Sequence, residues 1–65
     1  MFEENVKKLR EKQGMPQTEL ARLIGVSQVA VAKYENGTAI PNIKTGVRLA
    51  QVLHTTVEQL VNAKL

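Results

Sequence analysis

The chain has no cysteine, no tryptophan and no aspartate, a single serine and a single histidine, and aromatic residues make up only 3% of its 65 positions. Without cysteine there is no disulfide staple and no thiolate metal ligand, which fits a cytoplasmic setting. Ser27 and His54 each stand alone, no glycine-rich phosphate loop is present, and most glutamates fall on expected exposed helix faces. A nucleophilic triad cannot be assembled from this inventory, so no enzyme, metal site, cofactor or small-molecule ligand is expected. Met1 and Phe2 lead directly into charged sequence, and no apolar run approaches the roughly 20 residues of a membrane span, which predicts a soluble, intracellular protein. The scarcity of aromatics means that the 43% hydrophobic content is mostly Leu, Val, Ile and Ala, which suits close-packed short helices better than a sheet. The length allows one domain, 1–65, with a small core.

What is present is mildly basic. Nine Lys and Arg against six acids give a net charge of +3, compatible with a polyanionic partner without being diagnostic of one. The first twelve residues mix both signs, as a solvated helix face does. Beyond them only Glu19, Glu35 and Glu58 oppose Arg22, Lys33, Lys44, Arg48 and Lys64, so the middle of the chain can present a basic surface.

The segment Gln17 to Asn36, QTELARLIGVSQVAVAKYEN, has the offsets of a helix-turn-helix. Leu20 and Ile24 share the inner face of a first helix, and Ala21 is small enough for a second helix to cross over it. Gly25 follows the last periodic residue, where a left-handed residue commonly ends a helix. Val26 fills the corner and Ser27 is a good N-cap for the next helix. From that helix Val31 and Tyr34 turn inward, and Asn36-Gly37 closes it.

The flanks also read as helices. Phe2, Val6 and Leu9 form one stripe, predicting a helix at about residues 2–13 that stops near Gly14. Thr38 to Pro41 is a loop, and Pro41 allows a new start just after it. The fourth helix is expected to turn Ile43, Val47, Ala50 and Leu53 inward, flanked by Leu49. A last short helix begins at Thr56, which with Gln59 suits a capping box ahead of Val57, Leu60 and Val61. No strand pattern or internal repeat competes.

With PQTELARLIGVS, YENG, IPNIKTGVRLAQVL and TTVEQLV in order, the chain resembles the lambda-repressor-like family, the Cro and phage-repressor type of helix-turn-helix transcriptional regulators, over nearly its whole length. The resemblance implies an all-α, compact five-helix bundle whose third helix enters the DNA major groove, with two chains on a near-palindromic operator. It matches Arg10 and Glu35 to the family's inward ion pair. It also matches Gln17, Asn36, Asn42 and Lys44 to phosphate-contacting positions. Three residues depart from the family pattern. Pro16 replaces a polar N-cap, which is lost or shifts to Thr18. Gly46 replaces a large aliphatic residue, and His54 replaces a helix-ending glycine at a position where His tolerates positive φ better than most residues.

The outward face of the third helix reads Ser27, Gln28, Val29, Ala32, Lys33 and Asn36. Gln28 can pair with adenine N6/N7, Lys33 can donate to guanine O6/N7, and Val29 can touch a thymine methyl. Gln28, Val29, Ala32 and Lys33 are therefore the expected base contacts, and Ser27 joins the phosphate set. The expected function is transcriptional regulation, most simply repression, by a homodimer bound to double-stranded DNA. A protein-binding adaptor or antitoxin on the same fold is the alternative, since fold does not fix function.

Overall fold

The computed structural model describes residues 1–65 as five helices: α1 Phe2–Lys12, α2 Gln17–Ile24, α3 Gln28–Asn36, α4 Ile43–Val52 and α5 Val57–Asn62. The all-helical architecture expected from the aliphatic composition is what forms, with α3 packed against α1 and α2, α4 against α2, and α5 across α1 and α4.

Each helix end has a local cause. Glu3 and Glu4 in the first turn of α1, and Arg10 and Lys12 in its last, oppose the ends of the helix dipole. The Glu3 carboxyl lies below its ordinary range because it accepts from its own backbone N–H and, next, because the N-terminal ammonium is 3.0 Å away. The helix ends at Lys12, one residue short of the expected 13, with Gln13 as cap. Before α2, Pro16 is extended (φ −72°, ψ 160°) and supplies no side-chain acceptor. Of the two expected outcomes the side-chain cap is lost rather than shifted to Thr18, and proline's restricted φ suits the residue ahead of a helix. Its carbonyl accepts from Glu19 and Leu20 at 3.1 and 3.2 Å. Gln17 therefore remains the first residue of α2.

Gly25 ends α2 in the left-handed region (φ 77°), and the Ser27 hydroxyl starts α3 by accepting from the Ala30 N–H at 3.1 Å. Asn42 caps α4, its Oδ1 accepting from the Thr45 N–H at 2.8 Å. After α4, His54 adopts φ 59° without being glycine. At α5 only half of the expected capping box forms. The Thr56 hydroxyl accepts from the Gln59 N–H, but the Gln59 side chain turns to the hydroxyl of Thr55.

The core is built around Val6, Leu20, Ile24, Val31, Leu49, Leu53 and Leu60, with Ala21, Ala50 and Tyr34 completing it. On α4, Ala50 and Leu53 turn inward as expected, but Ile43 and Val47 do not and Leu49 takes their place. Leu49, Ala50 and Leu53 are buried, whereas Ile43 is 87% exposed and Val47 is 42% exposed. Positions 46, 49, 50 and 53 form the other possible i, i+3, i+4, i+7 stripe. Ala50 and Leu53 are common to both stripes, and the rotation that seats Leu49 fully in the core turns Ile43 and Val47 outward. Gly46 thus lies on the inward stripe, and a methyl group there would meet nothing within 4 Å.

Polar side chains tie the ends of the chain to this core. Asn5 is buried on α1, and its amide donates to the carbonyls of Leu60 (2.9 Å) and Ala63 (2.7 Å), while its oxygen accepts from the Leu65 N–H at 3.4 Å. Gln13 donates to the carbonyl of Leu53 at 3.0 Å. These amides satisfy carbonyls that the ends of α5 and α4 leave without helical partners.

Candidate nucleic-acid interface

Short connections fix α2 and α3 against each other. The left-handed Gly25 turns the chain, and Val26 packs partly buried against the core beside Ala21. Gln17 and Gln28 are each the first residue of their helix, and the turn brings their side chains into contact. The Gln28 Nε2 donates to the Gln17 Oε1 at 2.6 Å.

That contact continues inward. The Gln17 Nε2 donates to the Glu35 Oε1 at 3.0 Å. Glu35 also accepts from Arg10 through both carboxylate oxygens, at 2.6 Å from Nε and 3.0 Å from Nη2. The third arm of Arg10 donates to the Met15 carbonyl at 2.7 Å. The side chains of Arg10 and Glu35 are only 10% and 3% exposed. This is the inward pair implied by the family resemblance, and its two-pronged geometry offsets the desolvation that burial imposes. The hydrogen bonds to Glu35, the larger cause, and the nearby carboxylate charge raise the Arg10 pKa above its ordinary value. The other side-chain ion pair, Arg22 with Glu19, lies on the surface of α2.

The remaining candidate residues divide by environment. Val29 is 59% exposed, Lys33 and Lys44 are exposed with no carboxylate bridging either, and Ala32 is half-buried. Residues 28, 29, 32, 33 and 36 share one side of α3 by helical spacing. Ser27 and Asn42 are exposed, but their oxygens are occupied by helix capping. The Asn36 Oδ1 accepts from both the N–H and the hydroxyl of Thr38. The Ser27 hydroxyl hydrogen, the second N–H of Gln17, the Asn36 and Asn42 amide NH2 groups and the exposed lysines remain as donors to a phosphate. Two features escaped sequence reasoning: the role of Asn5 as a cap for α5, and the bonds that join Gln17 to Gln28 and Glu35. A glutamine at the first position of both motif helices was the visible signal for the second.

Residues 6–60 match the helix-turn-helix family. The chain belongs to the lambda-repressor-like, Cro and phage-repressor type of helix-turn-helix regulators. It is 34% identical over 61 residues to the SPbeta prophage-derived HTH-type transcriptional regulator YonR of Bacillus subtilis, covering 94% of this chain and 56% of that protein. The chain therefore spans little more than half the length of that relative. Among solved structures it superimposes on the P22 c2 repressor bound to a synthetic operator with a TM-score of 0.95, at 25% identity, covering 98% of this chain and 97% of the other. The biofilm master regulator SinR in complex with DNA gives 0.87 at 25% identity, covering 95% of this chain and all of the other, 100%. Members of this family are DNA-binding transcription regulators.

Proposed function

We propose that residues 1–65 act as one DNA-binding domain that represses transcription by occupying a specific, near-palindromic operator in the cytoplasm, as a homodimer, without catalysis or a cofactor. The observation that carries this proposal is the outward Gln28 at the start of α3, held by Gln17 rather than left as a free surface side chain. A restrained amide loses less entropy when it meets a base edge than a free one does. In this account Gln28, Val29, Ala32 and Lys33 face the bases. Gln17, Ser27, Asn36, Asn42 and Lys44 flank them on phosphate, with Ser27 and Asn42 contributing through the free N–H groups of the helix starts they cap.

Dimerisation is supported by apolar surface that the chain's own core leaves uncovered. Ile40 and Ile43 are each 87% exposed, and Val47, Val57 and Val61 are 42–48% exposed. All five line a groove of about 580 Å³ beside Gly46. Projecting isoleucines at the rim of a groove make a self-complementary patch, as a two-fold interface requires. Selection of bound sequences from a random duplex pool tests the function. The expected outcome is two inverted half-sites with centres about one helical turn, roughly 34 Å, apart. Enrichment of no sequence would contradict specific recognition and favour a protein-binding role. Sedimentation on the selected duplex should find two chains per site, and Val61→Asp should weaken pairing while leaving the monomer folded. One chain per site would refute the dimer.

A further inference from the structure

The bonds from the buried ion pair to the surface carry a direction. Arg10 has only donors, and the ionised carboxylate of Glu35 has only acceptors. Whichever atom of Gln17 faces Glu35 at 3.0 Å must therefore be its nitrogen. The Gln17 oxygen is then left for Gln28, and the atom of Gln28 that meets it at 2.6 Å must again be nitrogen. One of the two N–H groups of Gln28 is consumed in this way. What remains for a groove is one acceptor, Oε1, and one N–H. That is the complement of adenine, which presents an N7 acceptor and an N6–H donor. Guanine presents two acceptors, N7 and O6, and requires two donors.

We infer that Glu35, acting through Gln17, is a specificity-positioning residue: it fixes the polarity of the Gln28 amide so that α3 accepts adenine and rejects guanine. The inference rests on the proposal that Gln28 meets a base. Glu35 itself is 3% exposed in its side chain and does not reach the surface. Its effect is transmitted by hydrogen-bond polarity alone, so it makes a prediction that a packing role does not. In Glu35→Gln the amide oxygen belongs at the place of Oε2, where the Arg10 Nε donor is closest at 2.6 Å, and this puts its NH2 in the place of Oε1, which Arg10 Nη2 and Gln17 share at 3.0 Å. Gln17 then presents its own NH2 to Gln28, whose oxygen becomes the acceptor. Both N–H groups of Gln28 are released for the groove, and the preference moves from adenine to guanine. In Gln17→Ala the ion pair stays intact but the link is cut, so the Gln28 amide can turn either way.

The test uses the base pair at which Gln28→Ala relaxes preference, with adenine or guanine placed there in otherwise identical duplexes. The ratio of dissociation constants is the readout. Loss of a phosphate contact by Gln17 lowers both affinities alike and leaves that ratio unmoved. The unsubstituted protein should favour adenine by about tenfold or more. Gln17→Ala should bring the ratio toward one, and Glu35→Gln should reverse it. Should Glu35→Gln fail to melt cooperatively, Gln17→Ala decides the outcome alone. If Gln28→Ala relaxes one position while Gln17→Ala keeps the adenine preference, the polarity relay is wrong. A folded Glu35→Gln that still favours adenine removes Glu35 from it. If Gln28→Ala relaxes no position at all, Gln28 does not read a base, and the relay falls with the proposal it rests on.

Discussion

The two halves of this small bundle present different kinds of surface. On the α2–α3 side the exposed polar groups are anchored: Gln28 is held by Gln17, Gln17 by Glu35, and Glu35 by Arg10. On the α4–α5 side the exposed groups include the aliphatic Ile43, Val47, Val57 and Val61, which with Ile40 of the preceding loop line an open groove. The first surface is preorganised for hydrogen bonding and the second for burial. A 65-residue chain with a small core gains little by leaving five aliphatic side chains in water, and in the proposed function the two faces take different partners, DNA and a second copy.

The largest expected effect lies in the anchor of the polar face. Arg10→Met leaves the Glu35 carboxylate buried and unpaired, and chemical denaturation should show a loss of about 3–5 kcal/mol. The exposed Arg22 on the same side, changed to Met, should leave stability nearly unchanged. Similar small losses for both would remove the distinction between anchored and ordinary surface charge. Next in size is Asn5→Ala, which strips the buried amide from the end of α5 and should lower stability by about 1–3 kcal/mol. Hydrogen exchange should show α5 opening before α3, because the apolar face depends on this amide while the polar face does not. The smallest effect should be a gain. Gly46→Ala adds a methyl group that meets nothing within 4 Å and should stabilise the monomer by about 1 kcal/mol. Thermal melting below the dimerisation range measures this effect alone. A loss of stability there would mean that the groove beside Gly46 is not open in solution.

Legibility followed the same division. Gly25, Ser27 and Gly37 announce the turns around α3 by backbone requirements that few residue types satisfy, so the motif's boundaries and its inward Leu20, Ile24, Val31 and Tyr34 could be read directly. In α4 two apolar stripes overlap. Both contain Ala50 and Leu53, so Ile43 and Val47 compete with Leu49 for the rest of the inward face, and periodicity alone could not rank them because only the packing against α2 and α5 decides the rotation. Asn5 was invisible as a cap because its partners, Leu60 and Ala63, lie more than fifty residues away in sequence. The candidate contact residues were legible as a helix face. The relay behind Gln28 was not, because it depends on where three helix ends meet.

The central proposal is that α3 reads bases while Lys44, at the start of α4, grips phosphate beside it. It is tested by measuring Gln28→Ala and Lys44→Ala on the selected operator and on a scrambled duplex across a salt series. Gln28→Ala should lose about 1–3 kcal/mol on the operator and almost nothing on the scrambled duplex. Lys44→Ala should weaken both duplexes alike and reduce the salt slope by about one unit per chain. Equal losses for Gln28→Ala on both duplexes would take that residue off the bases, and no loss for either variant would contradict DNA recognition by this face.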